Sequence, residues 1–567
     1  MKLLLLAVSL TLFRSAVIGQ EQPHAGASAP RKIVVDLSKK SGALRPVWAQ
    51  FGYDEPNFTY MKDGAKLLGE LASLSPVPVY VRCHNLLTTG DGKPALKWGS
   101  TNAYTEDADG RPVYDWHIVD SIFGTYIKRK MRPLVEIGFM PEALSTHPQP
   151  YRHSWRPGVQ YDSVYTGWAW PPTDYKKWEE LVFRWVSHCV QRYGAAEVNT
   201  WLWEVWNEPN ISYWKGTMEE YFSLYDHAVA AVRRALPAAR VGGPATTGPG
   251  GTKAATWLQD FLAHCADGRN AATGGKGAPL DFISFHAKGS PKWVNGHVRM
   301  NMLPQLNDVA RGFEIVKASS FSTLPVYITE CDPEGCAACG MTTNPENAYR
   351  NGTMYSSYTA ASFTRIYDLA ARYGIDLAGL TSWSFEFEGQ KWFDGFRDLA
   401  TNGVDKPVLN VFRMYGMMLG DRVQVDDPAG LSLDSLMRSG VHGAQPDIHA
   451  LAAAGKKAAT VMVWNYHDDD LPGEDAPVEL TVTHIPGSSV WVQHYRIDEG
   501  HSNAYQAWKK MGSPQSPTED QFRILEQSGQ LQQLDKPKKI AAPDGTARVL
   551  FSLPRHGISL LRLTYLL

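Results

Sequence analysis

The chain has 567 residues, more than one small domain needs. Hydrophobic residues make up 44% and charged residues 20%, the balance of a soluble globular protein, which excludes a disordered or fibrous chain. With 56 basic against 58 acidic side chains the net charge is near zero, so there is no electrostatic case for nucleic acid or an anionic membrane as partner.

The N-terminus, "MKLLLLAVSLTLFRSAVIG", has one early Lys, an apolar run from Leu3 to Phe13 and small residues at Val17 and Gly19. That pattern predicts a secretory signal peptide over residues 1–19 and a periplasmic or secreted mature protein. The run is too short to span a bilayer, and no later stretch reaches about 18 apolar residues. "KIVVDL" (32–37) is a strand ahead of the first domain, and the segment 30–44 is expected to pair with a C-terminal sheet.

Between 45 and 415 short strands alternate with longer helices. The strands are "VWAQFG" (47–52), "PVYVRCH" (78–84), "RPLVEIGF" (132–139), "NTWLWEVW" (199–206), "ARVGGPA" (239–245), "LDFISFH" (280–286), "LPVYITE" (324–330) and "DLAGLTSWSF" (376–385). Amphipathic helices separate most of them, among them 175–194, closed by Gly194, and 217–236, with Glu early, Arg late and Pro237 as a stop. Eight such units predict a (β/α)8 TIM barrel. From 416 to 567 the texture changes. "TVMVWNYH" (460–467), "VELTVTHI" (478–485), "SVWVQHYRI" (489–497), "ARVLFSLP" (547–554) and "ISLLRLTYL" (558–566) are strands with no helix expected between them, which predicts an accessory antiparallel β-sandwich.

In a TIM barrel the chemistry sits at the C-terminal ends of the strands. The fourth strand ends in Asn207, Glu208 and Pro209, and the seventh in Glu330. Strands four and seven lie across a barrel of eight, so the two carboxylates can face each other over its mouth. Two facing carboxylates are what glycoside hydrolysis needs: one protonates the departing oxygen, and the other attacks the anomeric carbon or activates water. His84, His286 and Trp383 also end strands. Nineteen Trp and 25 Tyr offer flat apolar faces with a polar edge, which suits sugar rings as well as a large core.

The sequence resembles glycoside hydrolase family 39 over nearly the whole chain beyond residue 19. The resemblance is carried by "RPLVEIGFMPEALS" (132–145), "WEVWNEPN" (203–210), "ARVGGPATTG" (239–248), "LDFISFHAKG" (280–289), "LPVYITECDP" (324–333) and "KPVLNVFRM" (406–414). It implies Glu208 as acid/base, Glu330 as nucleophile and Asn207 as the group that holds the 2-hydroxyl. It further implies His84, His286 and Trp383 as sugar contacts and Glu388 as a holder of remote hydroxyls. The family includes β-xylosidases and α-L-iduronidases. Lys288 and Arg397 could clamp a substrate carboxylate, or Lys288 could serve a hydroxyl or Glu330. Glu386, Glu388 and Asp394 would instead form an acidic rim hostile to a second anion. On that rim the reading is a retaining exo-acting β-D-xylosidase on oligosaccharides. An iduronidase or another exo-glycosidase is the alternative, and a non-catalytic carbohydrate-binding barrel the remote one.

No glycine-rich phosphate loop, HExxH or nucleophile elbow stands out, so no cofactor or metal is inferred. Cys331, Cys336 and Cys339 cluster in "ECDPEGCAACG", where zinc would lack a fourth ligand and a short-loop disulfide is favoured. Cys83, Cys189 and Cys265 fall in apolar settings as buried thiols. Glycosylation triplets occur at Asn57, Asn210 and Asn351, and a glycan on Asn210 would crowd the cleft.

Overall fold

The computed structural model describes residues 29–151, 167–334 and 339–566. The segment read as a signal peptide, and Cys336, lie outside them. Eight parallel strands close into a barrel: β2 (Gln50–Tyr53), β3 (Tyr80–Cys83), β4 (Arg132–Ile137), β5 (Leu202–Val205), β6 (Arg240–Thr246), β7 (Phe282–His286), β8 (Val326–Glu330) and β9 (Leu377–Ser382), with β9 pairing back onto β2. Each strand is short and nearly all of its residues are buried, because helices cover the outside of the ring and side chains fill the inside.

Eight helices form the outer layer: α1 (Lys62–Leu74), α2 (His117–Ile127), α3 (Tyr175–Tyr193), α4 (Met218–Ala235), α5 (Thr252–Asp267), α6 (Leu303–Ala318), α7 (Thr353–Tyr373) and α8 (Pro407–Met417). Their ends follow local chemistry. Asp174 accepts from the Lys176 and Lys177 N–H groups at the start of α3, and Thr217 and Glu220 form a reciprocal capping box at the start of α4.

The accessory domain is one ten-stranded sheet, folded over on itself. Its strands are β1 (Arg31–Ala43), β10 (Asp421–Asp426), β11 (Asp447–Ala454), β12 (Ala458–Tyr466), β13 (Ala476–Thr483), β14 (Ser489–Ile497), β15 (Gln532–Gln533), β16 (Lys538–Ala541), β17 (Ala547–Leu553) and β18 (Ile558–Leu566). The N-terminal strand β1 is an interior strand, antiparallel to β10 and parallel to β13. The two halves enclose Ile33, Val35, Val461, Val463, Leu480, Val490 and Leu563. Two expectations need correction. The sheet is not wholly antiparallel, since β1 arrives from the far end of the chain. Helices do interrupt it: α9 (Ala504–Lys510) and α10 (Glu519–Gly529) lie between β14 and β15. Their apolar faces pack on the barrel loop after β9, with Phe393 against Trp508 and Trp392 against Phe522, while Gln515 exchanges hydrogen bonds with both backbone groups of Trp392.

Helix α7 joins the domains. Its Arg365 donates to Asp447 at 2.6 Å and to the Leu431 carbonyl, and Asp447 also accepts from the Trp464 indole. Both ions are buried. Removing one partner leaves an uncompensated charge in the interface, at a cost of about 3–5 kcal/mol. Arg365→Met should therefore lower the denaturant midpoint by that much stability, followed by tryptophan fluorescence, whereas exposed Arg523→Met should leave it within about 0.5 kcal/mol.

Candidate active site

The site is built on a buried guanidinium. Arg82 projects from β3 into the barrel and is fully buried. Its Nε lies 2.6 Å from Glu204, Nη2 3.1 Å from Glu136 and Nη1 3.1 Å from Glu330, and Nη2 also donates to the Asn207 side-chain oxygen at 3.1 Å. One planar, permanently charged fork thus fixes groups from β4, β5 and β8 at once. Holding the Asn207 oxygen fixes which end of the side-chain amide accepts and leaves its N–H groups as the remaining donors.

The fourth strand ends in strained backbone. Trp206 has φ +73° and Glu208 φ +45°, conformations that side-chain-bearing residues rarely adopt. Each costs on the order of 1–3 kcal/mol and persists only where the surroundings enforce it. Here the Trp206 indole donates to the Tyr213 carbonyl at 3.0 Å and packs edge-on against Phe139 and Trp214, and the Glu208 N–H donates to the Ala245 carbonyl. The kink, together with Pro209, swings Glu208 out over the mouth.

There Glu208 meets His286 Nδ1 at 2.8 Å, and the same nitrogen lies 3.8 Å from Glu330. Carboxylate oxygens of Glu208 and Glu330 stand within 4.8 Å of each other. Glu330 is also 2.9 Å from the Lys288 ammonium and 3.3 Å from His84. Burial works against its charge, but His286, Lys288 and His84 outweigh that and hold it well below the usual carboxylate range. His84 itself stands between Asp54, at 2.7 Å, and Glu136, at 3.0 Å. Burial opposes its charge as well, yet Glu136 and Asp54 keep it well above the usual imidazole range. The result is one ionised carboxylate, Glu330, inside a ring of cations, with a second carboxylate nearby on the solvent side.

A model of the glycosyl hydrolases family 39 matches residues 31–546. The chain belongs to that family. It is 28% identical over 502 residues to a β-xylosidase of Geobacillus stearothermophilus, spanning 85% of this chain and 86% of that one. It is 26% identical over 375 residues to an α-L-iduronidase of Mus musculus, spanning 62% and 56%. The crystal structure of the GH39 enzyme from Xanthomonas axonopodis pv. citri superposes with a TM-score of 0.75 at 22% identity, covering 96% of this chain and all of that one. Family membership makes the protein a glycoside hydrolase, and the paired carboxylates are the groups such chemistry uses.

The structure brings together His84, Asn207, Glu208, His286, Lys288, Glu330 and Trp383, but not Glu388. The Glu388 carboxylate accepts the Asp63 N–H at the start of α1. Its neighbours are equally committed: Glu386 accepts from the Gly403 N–H, and Asp394 from the Thr342 hydroxyl. The expected acidic rim does not form among these three described residues, because donors on three separate segments, the start of α1, the turn at Gly403 and the loop after β8, each recruit one carboxylate. Trp383 is 1% exposed, its ring 4.5 Å from that of His84 and near the Arg82 and Arg397 guanidiniums. It reaches that place because β2 carries Gly52, where a Cβ would sit 2.2 Å from the indole. Lys288 is held by Glu330 and Asp332 together. Arg397 lies buried, 2.5 Å from Asp54.

Sequence reasoning missed Asp54, Arg82, Glu136 and Glu204. For the last three the signal was a charged residue inside an otherwise apolar barrel strand, visible in "YVRC", "LVEI" and "LWEV", whereas Asp54 directly follows β2 and carried no such mark. The three glycosylation triplets are closed off. The side-chain amides of Asn57, Asn210 and Asn351 are buried and donate to Ser100, Thr247 and Phe393. Cys331 is a buried free thiol against Gln305, so it takes no part in a disulfide.

Lys288 offers a direct test of how the Glu330 carboxylate is kept ionised. A cation beside a carboxylate favours its charged form, so removing it raises the pKa and demands a higher pH for ionisation. Lys288→Met should move the acid limb of the kcat/KM profile to higher pH, read from initial rates with an aryl glycoside. An unmoved limb would assign that limb to another group.

Proposed function

We propose that the protein is a retaining, exo-acting β-D-xylosidase that works outside the cytoplasm. The observation that carries retention is the separation of the carboxylates. Oxygens within 4.8 Å leave no room for the water that an inverting enzyme holds between groups about 6.5–9.5 Å apart. Exo action is supported by the closed inner subsite, where His84, Asn207, His286 and Trp383 are all buried. The choice of xylose is supported by likeness to a β-xylosidase along 85% of the chain. The extracytoplasmic setting is supported by the pattern of residues 1–19 alone.

In this reading Glu330 attacks the anomeric carbon as Glu208 gives its proton to the leaving oxygen. Glu208 then takes a proton from water, which attacks the same carbon and frees Glu330. Asn207 donates to the 2-hydroxyl, a contact that strengthens as the oxocarbenium character grows. A second reading, a terminal uronic acid, is favoured by the loss of the acidic rim and by Arg397 and Lys97, both buried on Asp54.

Two measurements test this. Across a panel of aryl glycosides differing only in the sugar, kcat/KM for the β-D-xyloside should exceed that for the α-L-iduronide by about 100-fold or more. The reverse order would make Arg397 and Lys97 a carboxylate clamp. The second measurement is the anomer of the azide product. Glu208→Ala should still form the glycosyl-enzyme from a dinitrophenyl glycoside, stall, and release a β-glycosyl azide. Glu330→Ala should lose activity with every aglycone and, given azide, yield the α-azide. Swapped anomers would exchange the two roles, and near wild-type turnover by both variants would place the active site elsewhere.

A further inference from the structure

Strand β14 alternates strictly, with Val490, Val492 and His494 facing the inside of the folded sheet and Trp491, Gln493 and Tyr495 on the other side. Tyr495 is packed against the barrel core, but two residues before Gln493 the sheet overhangs the barrel, and Trp491 is 44% exposed. Register fixes its neighbours. Lys539 of β16 and Thr564 of β18 stand directly opposite Trp491 on either side, and Arg562 stands opposite Gln493. Paired residues share a face at about 5 Å, and the diagonal from Trp491 to Arg562 is about 7–8 Å. Thr564 in turn pairs with Ala458, beside the exposed turn lysines Lys456 and Lys457.

Among the described residues, the side chains of Trp491, Lys539 and Arg562 make no hydrogen bond or ion pair, and no aromatic ring meets the indole. None of the strand residues registered around Trp491 on this face is Asp or Glu. A flat indole flanked by uncommitted, planar or cationic donors on rigid sheet matches a sugar ring that carries an anionic group. A neutral glycan would have no need of two unpaired cations. We propose that this face is a second carbohydrate-binding site, for a polysaccharide that bears carboxylates. The indole stacks on a sugar ring, Gln493 and Thr564 meet its hydroxyls, and Arg562 and Lys539 pair with carboxylates along the chain. The choice of a glycan rests on membership of a glycoside hydrolase family, not on the terminal sugar assigned above.

The face is remote from catalysis. β14 reaches the catalytic end at Ile497, whose partner Ile558 follows His556, a contact of Ser357 in the first turns of α7. Six residues of strand put Trp491 about 20 Å further down. Substitutions there should leave turnover of a small aryl glycoside unchanged, which also reports that the variants fold.

Native affinity electrophoresis of the full chain, in gels containing a uronate-bearing xylan or the same polymer after carboxyl reduction, tests the site. The wild type should be retarded by the acidic polymer and at least fivefold less by the reduced one. Trp491→Ala and Arg562→Ala should each weaken retardation about tenfold. The site falls if the wild type is not retarded, if the variants match it, or if the reduced polymer retards equally. It also falls if Trp491→Ala abolishes self-association in sedimentation velocity, which would make the face an interface between copies. Retardation with a reversed aryl-glycoside preference would overturn the assigned sugar and leave this site standing.

Discussion

Arg82 is the group on which the active site depends. Burying a guanidinium is costly unless every donor finds an acceptor, and this one finds Glu136, Glu204, Glu330 and Asn207. The arrangement works in both directions. The carboxylates of β4 and β5 make the buried cation tolerable, and the cation then holds the Glu330 carboxylate and the Asn207 amide in fixed orientations. A lysine could neutralise the same charge, but a single ammonium could not span four acceptors on three strands.

Strain and solvent exposure are confined to the other half of the pair. Glu208 is itself left-handed, two residues after left-handed Trp206, partly open to solvent and touched by one histidine, while Glu330 is enclosed by cations. Two glutamates of identical chemistry thereby receive different environments, the means by which one fold can give two carboxylates different properties. His286, between them, is the element they share.

The accessory domain is not an appendage on a linker. One of its interior strands comes from the N-terminus, it receives α7 through Arg365 and Asp447, and its helical excursion braces the loop that carries Arg397. The barrel's eighth loop is therefore shaped from outside the barrel. What the sheet leaves uncovered, around Trp491, is correspondingly conspicuous.

Much of this was legible in the sequence. Strand and helix periodicity gave the eight βα units and placed two glutamates at the ends of strands four and seven, because period and position along a strand are local properties. Side-chain destinations were not local. Glu386, Glu388 and Asp394 looked like a rim, yet each turned to the nearest unpaired donor, and only the fold decides which donors lie unpaired. Arg82, Glu136 and Glu204 looked like charges stranded in apolar strands until three strands were laid side by side. The sequence by itself determined the barrel, the family and the position of Glu208 and Glu330 at strand ends. The tertiary structure alone decided which charges compensate one another, because a buried charge is settled by its neighbours across strands and not by its neighbours along the chain.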